Sequence, residues 1–277
     1  MSSTLYIVST PIGNLEDITL RALNVLKEVD LIACEDTRTS KKLLSRYQIQ
    51  KPLTSYHEHN EIEKAKELLS LLQEGKSVAL ITDAGTPGVS DPGFRIVKLA
   101  SENGIQVIPI PGASAAIAAL SISGLPTSSF TFLGFPPKQN KKLIEYLERV
   151  KGYPETLIFY ESPKRVIKTL EAITEVFGDR NASISREITK MYEETLRGFL
   201  SEIKSTLESR DSLKGEFVLV VVGDTREKAD FDSKTIDDLL HYLKKEGHSL
   251  KDAVKQVATD SGVSKSKIYK KALQIWE

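Results

Sequence analysis

Short runs rich in Leu, Ile, Val and Ala recur along the first part of the chain, at Leu5–Val8, Leu31–Ala33, Val78–Ile81 and Ile105–Ile108. A strand that is apolar on successive residues has no side to give to water, so it must be covered on both faces. That condition is met by a parallel sheet with helices packed above and below it. The stretches between the runs supply such helices. Residues Thr19 to Lys27 set Leu20, Leu23 and Leu26 on one helical face, with Thr19 as the N-cap. Residues Glu61 to Glu74 space Ile62, Ala65, Leu68, Leu69 and Leu72 by threes and fours, and Gly75 closes the helix. Further helices are predicted from Phe94 to Ala100 and from Ser114 to Ile122. The pattern predicts an α/β fold.

After Ile122 the punctuation Gly124-Leu-Pro-Thr-Ser-Ser129 suggests a boundary, which divides the chain into residues 1–123, 124–226 and 227–277. The second segment has strand-like runs at Phe130–Leu133, Leu157–Tyr160, Ala182–Ser185, Leu196–Leu200 and Phe217–Val222. Helical patterns fall at Lys141–Val150 and Lys164–Phe177. Strands follow one another here without a helix each time, which predicts a mixed sheet. Beyond the polar stretch Asp224–Ser233 the pattern is wholly helical.

The 277 residues carry 38 Lys plus Arg against 38 Asp plus Glu, so a nucleic-acid partner must be met by local basic patches and not by a global field. The one cysteine, Cys34, lies in an apolar run and is expected to be a small buried strand residue. No stretch has the apolar length of a membrane span and the N-terminus has no leader pattern, so a cytoplasmic protein without a membrane role is expected.

Three turns fall where strands end, which is where an open α/β sheet places its ligand. They are Ser9-Thr-Pro-Ile-Gly-Asn14, Thr82-Asp-Ala-Gly-Thr-Pro-Gly-Val-Ser-Asp-Pro-Gly93 and Ile110-Pro-Gly-Ala-Ser-Ala115. Glycine admits a ligand close to the backbone, proline fixes the turn, and the helix after the third offers free N–H groups. There is no phosphate loop and no G-x-G-x-x-G after the first strand, against an ordinary NTPase, a nicotinamide dehydrogenase or a Rossmann-type methyltransferase. Lacking Lys and Arg, these loops suit a zwitterion with an adenosine better than a triphosphate.

Charged side chains gather at other strand ends. Ala33-Cys-Glu-Asp-Thr-Arg-Thr-Ser40 holds Glu35, Asp36 and Arg38, which either pair among themselves or face a substrate. Tyr56-His-Glu-His-Asn60 reads as a polar loop that contacts substrate; with four His in the chain and no Cys nearby, no metal site is expected. Phe159-Tyr-Glu-Ser-Pro-Lys-Arg165 and Ser185-Arg-Glu-Ile-Thr-Lys190 each bring cations and a carboxylate to a strand end.

Taken in order, Leu5–Leu15, Cys34–Arg38, Asp83–Gly93, Phe159–Arg165, Arg186–Lys190 and Lys214-Gly-Glu-Phe217 resemble the tetrapyrrole-methylase superfamily over roughly residues 4–223. Ser9 and Lys164 depart from it, standing where alanine and histidine are expected. Within the superfamily the motif set is most similar to the branch that methylates the ribose 2′-oxygen of a cytidine in the decoding region of small-subunit (16S) ribosomal RNA. The resemblance implies a bilobal fold of two α/β domains with a cleft between them, plus the small C-terminal helical domain. It also implies S-adenosylmethionine in the cleft, small-subunit rRNA or the 30S particle as partner, and a homodimer. By position Pro11, Ile12, Asp83, Gly85, Thr86, Val89, Ser114 and Ala115 would hold the cofactor from the first domain, and Tyr160 and Arg186 from the second. Glu187 or Asp36 is the expected base, with Glu35, Arg38, Lys164, Arg165 and Lys190 toward the substrate.

The tail adds a separate signal. Ser249-Leu-Lys-Asp252 resembles a capping box, Ala253, Val254, Val257 and Ala258 form an apolar face, and a turn at Asp260-Ser-Gly262 leads to Ser264, Ile268, Leu273 and Ile275. Two short helices across a tight turn, the second carrying Lys265, Lys267, Lys270 and Lys271, read as a helix-turn-helix or as a packing bundle. Two rival functions stay open, a methyltransferase of a tetrapyrrole or corrin precursor and a non-catalytic nucleic-acid-binding module.

Overall fold

The computed structural model describes residues 3–224, 233–261 and 263–276. Residues up to Gly223 form one compact unit and the C-terminal residues another.

In the first unit the chain begins β1 (Thr4–Val8), α1 (Leu20–Glu28), β2 (Leu31–Cys34), α2 (Thr37–Arg46), β3 (Leu53–Ser55), α3 (Glu61–Gln73), β4 (Val78–Ile81), α4 (Phe94–Glu102), β5 (Gln106–Ile110) and α5 (Ala115–Ile122). The five strands pair in parallel in the order β3-β2-β4-β1-β5. Both faces are covered, as the apolar runs require. Leu26, Leu44 and Ile110 belong to the layer under α1 and α2, where Cys34 is also buried. Leu5, Val78 and Leu80 meet Leu68, Leu72 and Ile96 of α3 and α4 on the other side. Thr19 caps α1 through its side chain, which accepts the Ala22 N–H at 3.1 Å. The sequence reading lacked α2 and β3: Asp36, read as part of a strand-end cluster, is the N-cap of α2.

The chain continues with β6 (Phe130–Gly134), α6 (Asn140–Val150), β7 (Thr156–Glu161), α7 (Val166–Phe177), β8 (Asn181–Arg186), β9 (Glu194–Phe199), α8 (Leu200–Glu208) and β10 (Phe217–Val221). The second sheet is mixed, in the order β6-β7-β10-β8-β9, with only β6 and β7 parallel. The expected strand Leu196–Leu200 ends a residue early, because Leu200 turns inward and starts α8. One face of this sheet packs on α6, α7 and α8 through Phe159, Leu170 and Leu219. The other face is covered by α5: Ala116, Ala119 and Leu120 lie against Ile158, Val218 and Val220. A helix from the first half of the chain thus serves as a layer of the second sheet.

The C-terminal unit contains α9 (Ser233–Lys245), α10 (Leu250–Ser261) and α11 (Lys265–Trp276), in keeping with the wholly helical pattern, although only the last two helices were delimited in the sequence. Their shared core includes Leu240, Leu243, Ala253, Val257, Ile268 and Ala272. Ser249 caps α10 by accepting the Asp252 N–H at 3.2 Å, and its hydroxyl donates to Asp252 Oδ2 at 2.6 Å. This is a cap without the reciprocal bond of a capping box, since the carboxylate bonds the hydroxyl and not the Ser249 N–H. Of the apolar residues named along the second helix, Ile268 is buried and Leu273 is exposed. Residues 225–232 of the polar stretch, and Gly262 of the predicted turn, lie outside the described residues.

Candidate functional site

The three glycine- and proline-rich turns are sewn into one wall. After β1, Thr10 and Gly85 exchange backbone hydrogen bonds of 2.8 and 3.1 Å, and Thr10 Oγ1 donates to the Thr82 carbonyl at 3.0 Å. Gly85 sits at φ 89°, a left-handed value that favours glycine, and so turns its backbone to face Thr10. Ser9 N–H donates to the Ile110 carbonyl at 3.2 Å. Ser9 Oγ lies 2.9 Å from Thr86 Oγ1, which also reaches the Ala113 carbonyl at 3.3 Å. The departure at Ser9 therefore supplies a hydroxyl that ties the first turn to the second.

The second sheet closes on this wall from two directions. The Ala116 N–H, at the start of α5, donates to the Tyr160 hydroxyl at 3.2 Å. One of the free N–H groups expected at this helix start is thus already used. Opposite, the turn at Gly13 docks on the loop after β8: Asn14 N–H donates to Thr189 Oγ1 at 3.0 Å. A Cβ on Gly13 would stand 2.5 Å from Lys190 Cγ, so glycine is required there by close approach.

Between these walls is a cavity of about 430 Å³, inside the range of roughly 300–1,000 Å³ usual for small-molecule sites. Its apolar lining includes Ile12, Val89, Ala115, Ile188 and Val218. Eight of the ten residues expected to hold a cofactor line it, namely Ile12, Asp83, Gly85, Thr86, Val89, Ser114, Ala115 and Tyr160. Pro11 and Arg186 do not. Pro11 is buried behind the turn. Arg186 pairs in register with Phe217, whereas Val218 pairs with Tyr160. Paired side chains share a sheet face, so Arg186 lies on the face away from Tyr160.

A second group of lining residues is acidic. Glu35, Asp83 and Asp91 all border the cavity, and none of the three forms an ion pair among the described residues. Thr82 Oγ1 donates to Glu35 Oε2 at 3.0 Å and also bonds the Asp91 carboxyl. Burial, and then the charges of Glu35 and Asp83 against the Thr82 bond, push Asp91 up to about 6. Burial raises Asp83 as well. Asp91 was missed in the sequence reading. Its only local sign is a carboxylate between Ser90 and Pro92, which reads as a turn residue.

The remaining candidates are arranged otherwise than expected. Asp36 is gripped by Arg38, whose Nε and Nη2 reach its carboxylate at 3.1 and 2.7 Å, and that pairing lowers it to about 2. The Arg38 side chain is 88% exposed. Glu187 Oε1 accepts from Lys190 Nζ at 2.9 Å and from the Glu216 N–H at 3.1 Å, and the lysine bond holds it below its ordinary value. Lys190 also pairs with Glu216 at 2.8 Å. Arg165 Nη2 donates to the carbonyls of Pro136 and Pro137, so it braces a loop and is not a free cation. Lys164 is exposed. The His57–Asn60 turn leads into α3 and is closed by Asn60, whose Oδ1 accepts the His57 N–H at 2.8 Å; it does not line the cavity.

Two lobes clasping a cavity behind strand-end turns, with no phosphate loop, define a class. The tetrapyrrole (corrin/porphyrin) methylase family matches residues 4–204, and the chain belongs to that family. Its likeness to particular members runs nearly end to end. It is 50% identical over 271 residues to the Ribosomal RNA small subunit methyltransferase I of Halalkalibacterium halodurans, covering 96% of this chain and 93% of that protein. To the protein of the same name from Bacillus subtilis it is 45% identical, covering 96% and 92%. Among solved structures, diphthine synthase superposes with a TM-score of 0.60 at 17% identity, covering 80% of this chain and 91% of that one. Uroporphyrin-III-C-methyltransferase from Thermus thermophilus gives 0.54 at 21%, covering 80% and 93%. At such identities these structures speak for the fold alone.

Proposed function

We propose that the protein transfers a methyl group from S-adenosylmethionine to small-subunit rRNA, at the ribose 2′-oxygen of a cytidine in the decoding region. The observation that carries this reading is the near full-length identity to proteins named Ribosomal RNA small subunit methyltransferase I. The cavity supports it on chemical grounds. Its apolar lining suits an adenosine, and its unpaired carboxylates suit a ligand with a net positive charge. When bound, S-adenosylmethionine supplies an electrophilic methyl on a sulfonium.

The protein's own residues do the rest. Ile12, Thr86, Val89, Ser114, Ala115 and Tyr160 hold and orient the cofactor beside Asp83 and Gly85, while Ile188 and Val218 exclude water. A ribose hydroxyl is a weak nucleophile at neutral pH, so positioning and a proton acceptor are both needed. Glu187 and Asp36 were the expected acceptors, but each is committed to a cation that disfavours taking a proton. Asp91 is better suited, facing the cavity with its affinity for a proton raised. In this reading Glu187 and Lys190 position the loop that carries Ile188, and Asp36 anchors Arg38 and α2. Glu35, Arg38 and Lys164 are turned to the substrate, with Arg165 bracing the loop beside it.

As functional units we take residues 1–123 for the cofactor, 124–226 for the substrate, and 227–277 as a helical tail whose lysines meet RNA. The resemblance that names the reaction also implies a cytoplasmic homodimer acting on the rRNA or the 30S particle. The test is to map 2′-O-methyl groups on small-subunit rRNA from cells with and without the gene. Loss of one modified cytidine is expected; an unchanged map, with labelled methyl appearing in a pigment fraction, would support a tetrapyrrole substrate.

A further inference from the structure

β6 ends at Gly134, and the next residue, Phe135, presents its ring at the border of the cavity with 59% of its surface exposed. A single exposed Phe is ordinary. This one is backed by Tyr160 and set on a braced loop. Its ring makes a T-shaped contact with Tyr160 at 5.5 Å between ring centroids, and Tyr160 in turn meets Phe132 at 4.9 Å. The two prolines that follow have fixed φ, and Arg165 Nη2 pins both of their carbonyls at 3.1 and 2.9 Å. On the other side Gly134 adopts φ 62°, and a Cβ there would stand 3.2 Å from Ser90 Oγ of the facing loop. The ring is therefore an apolar face already in place, with little freedom left to lose when something lies against it.

In the proposed function the adenosine lies against the apolar lining that includes Ile12 and Ala115. The exposed rim calls for a second planar group. We propose that Phe135 is the platform on which the unpaired nucleobase of the RNA substrate stacks, so that the attached ribose is presented to Asp91 and Glu35. This rests on the reading of the chain as an RNA methyltransferase. Every base has a π-face, and proteins that recognise splayed-out nucleotides hold them on aromatic side chains. Phe135 thus acts as a positioning residue, and Arg165 sets its place through the loop carbonyls.

The experiment compares the full-length protein with F135A, F135L and F135W. For each, calorimetry gives the Kd for S-adenosylmethionine, fluorescence anisotropy gives the Kd for an unstructured cytidine oligoribonucleotide, and methyl transfer to small-subunit rRNA gives kcat and KM. Stacking predicts that Ala and Leu weaken oligonucleotide binding and raise KM by roughly tenfold to a hundredfold. The Kd for S-adenosylmethionine should stay within about twofold, which also reports intact folding, and Trp should restore RNA binding. Leu matching Phe would reduce the ring to apolar packing, and an equal loss of cofactor affinity would assign it to the adenine instead; either overturns the proposal. Absence of methyl transfer by the wild-type protein would defeat the functional reading, while the oligonucleotide series would still judge Phe135.

Discussion

Asp91 carries the most chemistry of any single side chain in the cavity, and its state has consequences of opposite sign. Its carboxyl is raised from 3.8 to about 6, first by burial and then by Glu35 and Asp83, with the Thr82 hydrogen bond opposing; Tyr160 faces it from β7. Because the folded state binds this proton more tightly than the unfolded chain, the penalty is absent below pH 3.8 and complete above about pH 6. Asp91→Asn should therefore stabilise the protein at pH 7.5, by about 1 kcal/mol after allowance for solvent screening. In a thermal melt that is a rise of roughly 2–4 °C. Methyl transfer should fall by about 10²- to 10⁴-fold in the same variant. For the wild type the rate should climb with pH through about 6 and then level, because the ionised form accepts the proton. A flat profile, or an unimpaired Asn variant, would remove Asp91 from the reaction. The sequence favoured Glu187 and Asp36 because they are carboxylates at strand ends facing the other domain. The cations that grip them, Lys190 and Arg38, lower a carboxylate's affinity for protons, and that is visible only when the distances are known. Asp91 gains its character first from burial and then from Glu35 and Asp83, which follow different strands, and local pattern cannot show that.

Among the elements, α5 and the loop after β8 join the two sheets around the cavity. Tyr160→Phe keeps the ring and removes the acceptor of the Ala116 N–H. A loss of about 1 kcal/mol in denaturant unfolding is expected, with a several-fold weaker Kd for S-adenosylmethionine by calorimetry. Gly13→Ala drives a methyl to 2.5 Å from Lys190 Cγ and 2.8 Å from Thr189 Oγ1. It should cost about 1–3 kcal/mol and weaken cofactor binding further, by pushing away the loop that carries Ile188. An unfolding curve matching wild type for Gly13→Ala would show that this contact is slack. The parallel sheet was legible because β1, β2, β4 and β5 are apolar along most of their length, and the long helices because their stripes are wide. Helix α2 was not, since only Ser40 and Leu44 are buried on it and its first turn reads as polar chemistry. β3 has three half-buried residues, and α8 follows β9 with no intervening turn. Neither leaves a periodic signal long enough to separate it from its neighbour.

At the scale of the whole molecule, a formal net charge of zero means that RNA must be held by patches. Lys265, Lys267 and Lys270 are exposed on α11, whereas Lys271 is paired with Asp237 at 2.7 Å inside the C-terminal unit. Reversing the three exposed lysines to Glu should weaken rRNA binding and flatten its salt dependence by about two to three in the log–log slope. The Kd for S-adenosylmethionine should not move, and equal rRNA binding would leave the tail a packing role. The three strand-end turns were legible as the wall of one cleft because glycine, proline and placement are all written in the sequence. Their mutual hydrogen bonds, and the role of α5 as a layer of the second sheet, were not, because they join residues far apart in the chain. The central claim is that this cavity directs a methyl group to a ribose 2′-oxygen of small-subunit rRNA. Its most direct test is to incubate the protein with tritiated S-adenosylmethionine and unmethylated small-subunit rRNA, digest the RNA to nucleosides and identify the labelled one. The account predicts label in 2′-O-methylcytidine alone; label on a base, or none from a protein that binds the cofactor, would contradict it.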